Sequence, residues 1–129
     1  MKNRFKILVP IIVIISLSLI GCVSNSKKIS NQKVETFSQV KTNDLMKYKG
    51  SYVGDNSAVR NIIAELPANV YSAGFSLQTN KKPYGIIINY KENQNLGSED
   101  YNNFWSNKKP KEFLEKNAVI IFSLIQNAD

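Results

Sequence analysis

Gly54-Asp55-Asn56-Ser57, at the head of an apolar stripe, is the block of this sequence best suited to holding a ligand. Backbone amides that open a helix bind an anion or a carboxylate, and Asn56 and Ser57 add neutral donors. Asp55 works against an anion, because its own charge already occupies that helix end. The plainer use of the same residues is a cap, with Asp55 or Asn56 accepting from first-turn amides. A second candidate surface is aromatic. Tyr84, Tyr90, Tyr101, Phe104 and Trp105, interleaved with Asn89, Asn102, Asn103 and Lys108, are material for stacking a sugar, a peptide or a wall polymer. A small domain without disulfides needs the same rings simply to fill its core. The candidate binding residues are therefore Asp55, Asn56, Ser57, Tyr84 and Tyr90.

Catalysis finds little to work with. The chain has no His and a single Cys. Its acidic residues are scattered without paired or metal-ligand spacing, so triads, thiol catalysis and zinc sites lack their groups. Ser24, Ser30, Ser38 and Ser106 each stand three residues before a Lys, the spacing of serine-lysine acyl-transfer enzymes, but a Ser- and Lys-rich chain produces that spacing by chance. Asp55 with Glu99 and Asp100 would bind calcium only if folding gathered them. The expectation is a chain that binds rather than catalyses and takes no cofactor or metal. The alternative is a small cell-envelope hydrolase whose site is of an unrecognised kind.

The one Cys has a different use. Lys2, Arg4 and Lys6 form a cationic start, an almost unbroken apolar run of fourteen residues follows at positions 7–20, and Leu19-Ile20-Gly21-Cys22 closes it with a small residue before the thiol. This arrangement resembles the lipobox of bacterial lipoproteins. The resemblance implies a diacylglyceryl group on the Cys22 sulfur and cleavage after Gly21, giving two acyl chains, which hold a membrane stably where one does not. The run falls short of the roughly 20 apolar residues that a spanning helix needs, and Pro10 interrupts it. The expected location is the outer face of the cell membrane, with membrane lipid as the first partner. No Cys is left for an internal disulfide, so packing alone must hold the body together.

Of 129 residues, removal of 1–21 leaves enough for one small domain and no more. The fourteen Lys and Arg that remain, against ten Asp and Glu, give a mild +4. That charge suits anionic headgroups or wall polymers. Only two of the basic residues are Arg, and with an export signal in front no nucleic-acid partner is expected.

The elements that would position these residues begin beyond a polar stretch. Residues 22–43 read as a lipidated N-terminus and tether, although Val34, Phe37 and Val40 recur at near-helical spacing. Residues 44–129 read as the folded domain. Val59, Ile62, Ile63 and Leu66 form one apolar stripe, with Pro67 stopping the helix. Strand character follows at 70–79 and in Ile86-Ile87-Ile88, linked by Asn80-Lys81-Lys82-Pro83 into an antiparallel hairpin. Tyr101, Phe104 and Trp105 share helical spacing over 98–107, and Pro110 opens a last helix over 111–126 that is expected to be largely buried. The order α-β-β-α gives a small α+β domain, an antiparallel hairpin covered on one face by helices. Because two strands alone are marginal, a third is expected from residues 45–53, from the tether or from another chain.

Tyr52-Val53-Gly54-Asp55-Asn56-Ser57-Ala58-Val59, with Leu66-Pro67, Leu77-Gln78-Thr79, the Pro83-to-Tyr90 run and Asn117-Ala118-Val119, resembles an extracytoplasmic domain family of Gram-positive bacteria, domain of unknown function 4825. The resemblance brings no known reaction. It implies relatives that occur as lipoproteins or attached to membrane-bound sensor and anti-sigma-like proteins, and hence a sensory or binding role toward an envelope protein, a wall polymer or another ligand.

Overall fold

The computed structural model describes residues 32–128; the expected signal at 1–21 and Cys22 lie outside them. Four helices, α1 (Thr42–Leu45), α2 (Asn56–Glu65), α3 (Gly97–Ser106) and α4 (Pro110–Leu124), and one hairpin, β1 (Ser72–Gln78) with β2 (Gly85–Tyr90), make a small α+β domain. Short 3-10 turns at Phe37–Gln39, Met46–Tyr48 and Asn69–Tyr71 join them.

Helix α2 forms where the apolar stripe predicts it. Asp55 caps it by accepting from the Ala58 N–H at 2.9 Å. Val59, Ile62 and Ile63 turn inward, and Pro67 ends it by lacking the N–H that the next turn would need. These side chains meet Leu45, Val53, Ile121, Leu124 and Ile125 in the main core.

The hairpin pairs Phe75 with Ile88 and Leu77 with Ile86, and these four partly buried side chains lie against that core. Ser76 and Ile87 face the other way, and Ile87 is exposed. The register shifts between Ser72 and Phe75, where Gly74 adopts φ +119°, a conformation that side-chain-bearing residues rarely enter.

A second cluster is aromatic. Tyr71, Phe104 and Phe113 are buried, with Phe37, Tyr90, Tyr101 and Trp105 around them. Phe104 and Trp105 stand edge to face with centroids 4.9 Å apart, and Phe104 and Phe113 do so at 5.6 Å. Most of the aromatic set therefore serves as core, the plainer of the two uses read from the sequence.

Three expectations are corrected. The expected third strand comes neither from residues 45–53 nor from the described part of the tether. Residues 42–48 are helical, and Ser51 makes only an isolated parallel bridge to Ile125, with Gln126 N–H on Ser51 O at 2.8 Å. Leu45-Met46-Lys47-Tyr48 has no two-residue alternation to present to a sheet, whereas a helical turn buries Leu45. Helix α4 is not buried on all sides, since Val119 is 67% and Phe122 51% exposed. Its surroundings offer too little surface to cover a stripe that wide. Finally, residues 33–40 do not hang free. Val34 is buried, its N–H bonds Asn69 Oδ1 and its carbonyl accepts from Ala68, and Phe37 packs on Phe113 at 5.2 Å.

Candidate functional site

The residues singled out from the sequence do not converge. Asp55 spends its carboxylate on the cap, Asn56 Oδ1 meets Arg60 at 3.4 Å one turn on, and Ser57 is exposed on the first turn of α2. Tyr84 and Tyr90 flank β2 at opposite ends, about 20 Å apart at roughly 3.3 Å per residue. Tyr84 packs on the main core with the Lys82 ammonium 5.8 Å from its ring. The capping use of Asp55 has a measurable size. Asp55→Ala is expected to cost about 1 kcal/mol in chemical denaturation and to leave ligand binding unchanged.

Other candidate chemistry is also used up locally. Ser38 hydroxyl pairs with Thr36 at 2.9 Å and Ser106 donates to Asn103 O at 3.3 Å, while Ser24 and Ser30 lie outside the described residues. Asp100 accepts from Lys33 Nζ at 2.8 and 3.0 Å and from the buried Tyr71 hydroxyl. Among the described residues no group of three or more acidic or Cys side chains is placed to hold a metal.

Lys33, Asp100 and Tyr71 form a clasp that ties the N-terminal segment to α3. Lys33 also meets Glu35 at 2.9 Å. The Lys33 and Tyr71 hydrogen bonds hold the Asp100 carboxyl below its usual range, and burial, with Asp100 beside it, pushes the Tyr71 phenol up. Burial opposes the Lys33 charge, but its carboxylate partners win and raise it. A carboxyl lowered on folding stabilises the fold above its unfolded pKa, near 3.8, and the contribution fades as pH falls through the lower folded value. The denaturation midpoint of the natural chain is expected to fall more steeply from pH 4 to pH 2 than that of Asp100→Asn; parallel curves would contradict the clasp.

A recess lies between the hairpin and α4. Ile86, Ile88 and Tyr90 on the inner face of β2 form one wall, and Leu114, Asn117, Ala118, Ile121 and Phe122 on α4 form the other, around a cavity of about 240 Å³. From the sheet, β2 alone lines it. Ala128 completes the lining, and among the described residues no lining side chain is charged. Asn117, 2% exposed, donates Nδ2–H to Pro67 O at 2.9 Å, while its Oδ1 is buried with no partner. A buried acceptor left unpaired costs about 1–3 kcal/mol. Burial pushes the Tyr90 phenol up and a hydrogen bond with the Asn117 carboxamide pulls it back, so the two side chains meet at the cavity wall. Beyond Tyr90 and Leu114 a second recess continues along Tyr101, Trp105 and Pro110, and Trp105 Nε1 is likewise buried without a partner.

Sequence reasoning reached Tyr90 but passed over Asn117. The available signal was a lone amide inside the stripe Phe113, Leu114, Asn117, Ala118, Ile121, where the helical period demands an apolar residue. Among the described residues no helix is long and apolar enough to cross a membrane.

The model of one family, described as a domain of unknown function (DUF4825), matches residues 45–129. No curated protein and no solved structure matches.

Proposed function

The chain belongs to the DUF4825 family, whose description carries no reaction, and from that premise we propose that it is the extracytoplasmic binding module of a membrane-anchored lipoprotein. Cys22 carries the diacylglyceryl anchor, and the ligand enters the groove between β2 and α4. The observation that supports this reading is Asn117, which lines an apolar cavity and whose Oδ1 is buried without a partner. Asn117 Nδ2–H satisfies the buried Pro67 carbonyl, which gives the amide a structural role, and the Oδ1 left without a partner is the group a guest with a donor would pair.

The volume is adequate. An apolar cavity of about 150 Å³ is enough to take benzene, and this one is larger. Occupancy also shifts stability, since anything that binds only the folded state adds RT ln(1 + [L]/Kd). A sensory role is compatible with that linkage, because a guest that touches both β2 and α4 would tie them more firmly together.

The test uses indole, uncharged and aromatic with one N–H donor, titrated calorimetrically against the full chain. The natural chain is expected to bind it. Ala118→Trp, which fills the cavity from α4, is expected to weaken binding at least tenfold while the melting temperature holds or rises. Equal binding by both proteins would place the probe elsewhere and overturn the assignment.

A further inference from the structure

We propose that the natural occupant of this groove is an uncharged, extended polypeptide segment that adds as a third strand along the free edge of β2. The inference rests on the binding reading above and narrows it to one ligand chemistry.

Three observations select a peptide over other guests. First, β2 pairs only with β1 among the described residues, so its other edge presents unpaired backbone N–H and C=O groups. An exposed edge of this kind is a template for another strand, and a two-stranded sheet gains most from one. Second, the orphaned groups are of both kinds. Asn117 Oδ1 needs a donor and Trp105 Nε1 needs an acceptor, and both residues line the recesses that meet at Tyr90. A peptide chain carries donors and acceptors alike, so it can meet both kinds of group once those side chains turn toward it. An acyl chain pairs neither group and so gains nothing from them. A sugar would bring several hydroxyls to a lining that offers few polar partners. Third, the described residues of the lining carry no charge, which disfavours anionic wall polymers, phospholipid headgroups and charged peptides alike.

The inner face supplies specificity. Ile86, Ile88 and Tyr90 alternate along β2 toward the cavity, so an added strand would place every second side chain over α4, against Ala118 and the half-exposed Phe122. A segment of about six residues with small or branched apolar side chains at alternate positions fits that pattern.

The experiment screens the full chain, held in phosphatidylcholine nanodiscs, against an array of uncharged heptapeptides. Each peptide alternates Val, Ile, Leu, Phe or Tyr with Ser or Thr. The best binders are compared with the same peptides N-methylated at their central residues and with decanol. Hydrogen exchange read by mass spectrometry reports residues 85–90. The inference expects bound peptide to slow exchange there at least tenfold, N-methylation to weaken binding at least tenfold, and Trp105→Phe to weaken peptide but not decanol. Binding of decanol in the groove with no peptide bound would overturn the strand while leaving the binding module standing. Failure of peptides, decanol and indole alike would overturn both.

Discussion

Ile62→Ala is expected to cost about 3–4 kcal/mol and to lower the melting temperature by roughly 10–25 °C, the size set by a fully buried side chain in a small domain. Ile62 is 0% exposed and sits on the inner stripe of α2, where it meets side chains from α1, α4 and the turn that carries Val53. Deleting its outer carbons removes their transfer free energy and leaves a cavity that rigid neighbours cannot close. With total stability in the range of about 5–15 kcal/mol, such a loss takes a large share of what holds the domain, and no disulfide stands in reserve. Val119→Ala is the matched control. At 67% exposure it should change stability by less than about 0.5 kcal/mol. Thermal denaturation of the two variants checks the point, and similar losses from both would contradict the placement of α2 at the centre of the core.

Cys22→Ser is expected to abolish lipid attachment entirely. The hydroxyl of Ser is a far weaker nucleophile than a thiolate, so the diacylglyceryl group is not taken up and the cleavage that depends on it does not follow. Growth with labelled palmitate, followed by intact-mass measurement, reads both events. The natural chain should carry label and begin at Cys22, and the variant should carry none and retain residues 1–21. Label on the variant, or a bare sulfur on the natural chain, would remove the anchor from the account. On the proposed reading, two acyl chains at about 0.8 kcal/mol per buried methylene would hold the body stably at the membrane without electrostatic help from so mild a charge.

The elements that came through from the sequence are those whose stabilising contacts are local or periodic. Helix α2 is written in the spacing of Val59, Ile62 and Ile63, and its cap in Asp55. The hairpin is written in the β-branched run at Ile86, Ile87 and Ile88, and the start of α4 in Pro110. What escaped depends on partners far along the chain. Residues 33–40 are polar enough to read as a tether, yet Lys33 finds Asp100 sixty-seven positions away and Val34 finds Asn69 thirty-five away. Residues 45–53 looked available for a strand. Gly50 N–H instead bonds Leu124 O and Val53 N–H bonds Asn127 Oδ1, contacts that no window around residue 50 contains. Of the site, Tyr90 was legible as one of an aromatic set. Asn117 was not, because its meaning comes from facing a cavity that exists only once β2 and α4 are apart by more than their side chains fill.

The central claim is that Asn117 Oδ1 stands ready for a donor that arrives with an apolar guest. Indole and 1-methylindole share a shape and differ by that one N–H, so their relative affinity for the full chain, with the Asn117 side-chain amide signals followed by NMR, measures the claim directly. The account predicts that indole binds at least about tenfold more tightly, equivalent to about 1.4 kcal/mol, and shifts the Asn117 carboxamide resonances. Equal affinities, or binding of either compound that leaves those resonances in place, would contradict it.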